Sequence, residues 1–156
     1  GYLTMKRFQF RLQSVLEHRE RKENIAQMNF GEAQTQLNRA LIMLQELEEV
    51  RDAIIGELSE RRLSSSFDPV ESKLYHDYLK TIKQCIIDQN AYVADLTSTA
   101  EALRLHLVGA SQERQVLDKM KTKAKTAHQD DANKHEQTVS DDISSSRRRF
   151  QQVSQE

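Results

Sequence analysis

Apolar residues recur along this chain in alternating steps of four and three. The first run is Leu12, Leu16, Arg19, Glu23, Ala26, Phe30, Ala33, Leu37, Ala40, Leu44, Leu47, Arg51, Ile54, Leu58. The second is Tyr75, Leu79, Ile82, Ile86, Gln89, Val93, Leu96, Ala100, Leu103, Leu107, Ala110, Arg114, Leu117, Lys121, Ala124. A mean spacing of 3.5 keeps one seam facing a partner helix along a left-handed supercoil. The pattern predicts a first helix from about residue 8 to about 62, a turn over 63–68, and a second helix from about 69 to about 125. The expected fold class is all-α: one coiled-coil domain over residues 1–156, an antiparallel hairpin of two long helices, with the second overhanging at the C-terminus.

The break between the ladders carries its own chemistry. Asp68 suits an N-cap, Pro69 the first helical position, and Glu71 the reciprocal member of a capping box. With the turn near Ser65, residues whose numbers sum to about 130 face each other, and the paired section spans about 75–80 Å. Beyond about residue 126 the second helix runs out of partner. There the sequence becomes polar, from His128-Gln129-Asp130-Asp131 to Ser144-Ser145-Ser146-Arg147-Arg148-Arg149, with Val139, Ile143 and Phe150 as its few apolar members. This stretch is either an overhanging helix or a frayed tail.

Polar residues enter the ladders at Arg19, Glu23, Arg51, Gln89, Arg114 and Lys121. Two readings apply: they extend out of a narrow seam, or they fix register. Arg19 and Glu23, one turn apart, could pair with each other. A second apolar set lies off the seam. Tyr78, Cys85 and Tyr92 each precede a core position, as do Met43 and Val50, while Leu41 and Ile55 lie on the other flank. These residues either widen the seam or form an exposed strip for a partner.

Composition agrees with an extended helical protein. Of 156 residues, 37% are hydrophobic and 30% charged, with one proline and four glycines. Two long helices need only narrow apolar stripes, so they tolerate this polarity better than a compact globule does. The net charge of −1 gives no global attraction to nucleic acid or an anionic membrane. No apolar run approaches the roughly 20 residues of a bilayer span, so no direct membrane insertion is expected. One cysteine, Cys85, excludes an intrachain disulfide and suits a reducing compartment. The opening Gly1–Thr4 lacks a signal-peptide core and reads as foreign to the natural chain, with Met5 as its start.

Catalytic and cofactor motifs are missing: no glycine-rich phosphate loop, no His-Glu-x-x-His and no cysteine pair. His128 and His135 are seven apart, without metal-binding i,i+4 spacing. No enzymatic activity, metal or cofactor is expected. Lysines 119, 121, 123 and 125 and Arg147–Arg149 form basic segments without interleaved aromatics, so nucleic acid is not an expected partner.

The opening Met5-Lys6-Arg7-Phe8-Gln9-Phe10-Arg11-Leu12-Gln13-Ser14-Val15-Leu16, followed by an Arg/Lys/Glu-rich stretch, resembles the start of the flagellar export protein FliJ family. Glu136-Gln137, Asp141 or Asp142, and Arg147–Arg149 resemble that family's late positions. The pattern departs at Glu46, where an aromatic is expected, and at Gln89, where a histidine is expected. The resemblance implies a non-enzymatic component of the flagellar type III export apparatus, cytoplasmic and peripheral to the inner membrane at the flagellar base. It further implies a stalk-like coiled coil. The end bearing the termini engages the hexameric export ATPase, and the turn end engages the cytoplasmic domain of the export-gate membrane protein. Export chaperones are a further implied partner. By resemblance the gate-binding residues are Met43, Val50, Tyr78, Ile82 and Cys85. Clustering of charge where the termini meet assigns Arg7, Arg11, Arg19, Arg114, Lys119, Lys121 and Lys123 to the ATPase end. The stalk protein of injectisomes and a generic coiled-coil scaffold are the alternative readings.

Overall fold

The computed structural model describes residues 6–155; the assignment of Met5 as the natural start lies outside them. Two helices account for almost all of the described chain, α1 over Gln13–Arg62 and α2 over Pro69–Val153. They pack against each other as an antiparallel helical hairpin, and the described residues contain no strand. Every ladder position from Leu12 to Leu58 and from Tyr75 to Ala124 is buried or half-buried. The 3.5-residue repeat therefore marks the interface without exception.

Contacts divide the chain into two compact units. One, Asn24–Gly109, holds the turn. Its core is Ile54, Leu79, Ile82 and Ile86, with Leu44, Leu47 and Tyr75 packed around them. The expected proximity of Ile54 to Tyr75 and Leu79 is thus met. Ala26, Ala33 and Ala40 occupy every seventh position of α1 and are buried. At such small residues a facing side chain can reach the helix backbone. Gln89 does so, donating its Nε2–H to the Ala40 carbonyl at 2.9 Å. This polar ladder residue contacts the opposite helix instead of extending into solvent, and it lies within a few residues of the expected register.

The turn forms largely as its chemistry predicts. The Val70 N–H donates to Asp68 Oδ1 at 3.0 Å, and α2 begins at Pro69. Glu71 departs from the capping-box expectation. Its carboxylate lies 3.3 Å from the Arg61 guanidinium instead. Arg61 gives that carboxylate an oppositely charged neighbour at the surface, drawing it away from the Asp68 amide.

The other unit comprises the chain through Glu23 and from Ala110 onward. Leu16, Ala110 and Leu117 are its buried apolar residues. Two expectations change here. Helix α1 starts at Gln13, not near Phe8; residues 6–10 are non-helical. The Gln13 N–H donates to the Phe10 carbonyl at 3.0 Å, a tight turn that ends the non-helical segment. That segment lies against α2, where residues from Phe8 to Leu12 line one surface groove together with Met120, Ala124, Ala127 and His128. The Phe8 and His128 rings lie 5.6 Å apart, tilted by 50°. Apolar contact with α2 thus takes the place of a first helical turn. The second change concerns the open question of the tail. It is helical through Val153.

Candidate functional site

The turn-bearing unit presents an apolar flank. Reversing one helix of a coiled coil puts the positions that precede the core residues of both helices on the same side of the seam. Met43 and Val50 on α1 and Tyr78, Cys85 and Tyr92 on α2 all occupy that position. Met43 is 49% exposed and Tyr78 53% exposed; Val50, Tyr92 and the Cys85 thiol are also exposed. They therefore flank the seam without being covered by it. Ile82 differs from its four companions. It is only 8% exposed and belongs to the core with Ile54. Its side chain underlies the flank and does not offer a surface to a partner.

The unit with the chain ends carries charge. Arg7, Arg11, Lys119 and Lys123 are exposed, and Lys121 is half-buried beside Phe8 and Phe10. Arg19 and Arg114 are half-buried and engaged in ion pairs. Arg19 Nη1 donates to Glu113 Oε2 at 2.6 Å, with Lys22 Nζ 4.0 Å from the same oxygen. Arg114 Nε donates to Glu23 Oε2 at 2.6 Å and its Nη1 to Asp118. Hydrogen bonding to Glu23 and then to Asp118 raises the Arg114 pKa above its usual value. Both arginines tie α1 to α2. The expected pairing of Arg19 with Glu23 is replaced by two cross-helix pairs, because each side chain finds an opposite charge on the facing helix. Glu23 is the buried charged residue of the set, 9% exposed, and Arg114 neutralises it there.

Sequence reasoning missed Glu113 as the partner of Arg19 and Lys22. The signal was present: Lys22 and Glu113 both precede core positions, so an antiparallel register places them on one flank. It also missed the Phe8–His128 contact, since no periodicity governs a non-helical segment. Elsewhere on α2, Arg104 donates from Nε and Nη2 to Glu101. Those bonds hold the Glu101 carboxyl below its ordinary pKa. The pair lies within one exposed helix face and bridges nothing.

Among the described residues no three His, Cys, Asp or Glu side chains converge as metal ligands, and no helix is long and apolar enough to cross a membrane. The surfaces suit recognition: one apolar flank and one basic group, held on a two-helix hairpin. The fold defines a class: an all-α helical hairpin. The flagellar FliJ protein family matches residues 8–152, and the chain belongs to that family. It is accordingly a component of the flagellar export apparatus, in a family that is structural and not enzymatic. Comparison with curated proteins and with solved structures returns no match.

Proposed function

We propose that this chain links the hexameric export ATPase to the cytoplasmic domain of the export-gate protein, as a stalk-like element at the inner membrane of the flagellar base. The observation that carries this reading is the exposed flank of Met43, Val50, Tyr78 and Cys85 beside a closed core. Methionine and tyrosine give large, adaptable contact area, and they recur at the centres of protein interfaces. The flank is the gate-docking surface. The basic set of Arg7, Arg11, Lys119, Lys121 and Lys123 is the ATPase-docking surface, attracted to acidic and carbonyl groups and weakened by salt. On this reading the same protein also handles export chaperones. Ile82 supports the gate-docking flank from beneath, and Arg19 and Arg114 support the ATPase-docking end by holding the helices together.

Combining Val50→Ala with Tyr78→Ala tests the reading. The double variant should lose gate-domain binding, keep ATPase binding and stop swimming. Anchors of this type commonly cost about 2 kcal/mol or more each when truncated. A melting curve on the same preparation shows whether the hairpin is intact. Normal gate binding in a variant that melts normally refutes the assignment.

A further inference from the structure

The α2 seam changes face at His128. Ala124, His128 and Ala132 are all half-buried, two successive steps of four in place of the four–three alternation. An inserted step of this kind moves a heptad seam onto a new stripe of the helix. After one further step of four the alternation resumes as Glu136, Val139, Ile143, Ser146, Phe150, Val153. The N-terminal segment lines its groove on α2 as far as Asp131. Beyond it Ala132 and Val139 are half-buried and the other positions of the new seam are exposed. Ile143 is 49% exposed and Phe150 78% exposed, on a helix that continues through Val153.

The charges along this helix are sorted. Asp130, Asp131, Glu136, Asp141 and Asp142 lie in its first half, relieved only by Lys134; Arg147, Arg148 and Arg149 lie in its second. Ser144, Ser145 and Ser146 stand between them. That spacer puts each aspartate at least five residues from each arginine, outside the i,i+3 and i,i+4 reach of same-helix pairs. Among the described residues none of Asp141, Asp142 and Arg147–Arg149 makes an ion pair. The helix thus carries opposite charges that it cannot neutralise itself.

We infer that this terminal stretch is a self-association surface, pairing with the same stretch of a second copy in antiparallel orientation. A two-fold axis between Ser144 and Ser145 stacks Val139 on the second copy's Phe150, Ile143 on its Ser146, and Glu136 beside its Val153. Asp142 and Arg149 both precede a seam position, so they face each other across the antiparallel pair, twice by symmetry. A parallel pair would set Glu136 on Glu136 and acidic half on acidic half. Three heptads with one serine and one glutamate in the seam give a small interface, so the dimer is weak, with a dissociation constant of about 10–100 μM. The inference stands apart from gate and ATPase docking, which use other residues.

Sedimentation equilibrium of the full chain over a wide concentration range tests it, read at low and high salt. The wild type should dimerise, more weakly in salt, and Ile143→Asp should be monomeric with its helix content retained. Asp142→Arg should weaken the dimer about tenfold, through two like-charge contacts. Adding Arg149→Asp should restore it; adding Arg147→Asp should not. Rescue by Arg147→Asp would mean parallel pairing, and an unaltered dimer in Ile143→Asp would place the contact elsewhere; each overturns the inference. A wild type that stays monomeric also overturns it, and if Ile143→Asp then loses ATPase binding, the seam belongs to the ATPase. Loss of gate binding in the Val50→Ala, Tyr78→Ala variant is independent of all these outcomes.

Discussion

Arg114 of α2 reaches across the seam to Glu23 of α1, its Nε donating to the carboxylate at 2.6 Å. Glu23 is a buried ladder residue, and Asp118 holds the far side of the same guanidinium. An ion pair inside a seam costs desolvation, and an apolar residue in its place is often as stable. The two charges meet at 2.6 Å in the alignment that the helices adopt, so the loss of one partner matters more than the loss of both.

The two single variants at this pair should therefore behave unequally. Arg114→Ala strands the Glu23 carboxylate and should lower the melting temperature. Glu23→Leu leaves Arg114 with Asp118 and should be neutral or stabilising. Adding Glu23→Leu to Arg114→Ala should recover most of the loss. Thermal melts of the three proteins check this; additive losses would show that Glu23 and Arg114 act separately.

Packing loss should follow depth in the turn-bearing unit. Ile82→Ala empties a buried site between Ile54 and Ile86 and should cost about 3 kcal/mol. Leu44→Ala, at the half-buried edge of the same cluster, should cost nearer 2 kcal/mol. Urea unfolding measures both. An equal or smaller cost at Ile82 would contradict its place in the core.

Gly56 lies within α1, and a Cβ built on it would meet nothing within 4 Å. Gly56→Ala should stabilise the protein by about 0.5–1 kcal/mol, since alanine restricts the unfolded chain and fits the helix. A higher urea midpoint with an unchanged slope is the expected result.

Reversing Arg7, Arg11 and Lys119 to glutamate should weaken ATPase binding at low salt, with helix content retained. Including Arg19 or Arg114 in such a set would confuse the result, because both are engaged in cross-helix pairs. Unchanged affinity at low salt would remove the basic set from the ATPase-docking surface.

The sequence by itself determined the paired part of the two helices, their turn and the residues between them, but neither the start of α1 at Gln13 nor the helical tail through Val153. A 3.5-residue repeat on both sides of a proline turn gives each helix a partner in the same chain, so the ladder positions from Leu12 to Ala124 were legible from spacing alone. The offset of Met43, Val50, Tyr78 and Cys85 from that repeat was legible for the same reason, but whether they widen the seam or stand exposed was decided by the structure. Tertiary structure alone decided which polar groups meet. Whether Arg19 pairs along its own helix with Glu23 or across to Glu113 depends on distances of a few ångströms between helices, which periodicity does not encode. It also decided that Phe8 and Phe10 leave the helix to lie over α2. Nothing in a non-helical segment repeats, so its course is fixed by the surface it covers, here the Met120–His128 stretch.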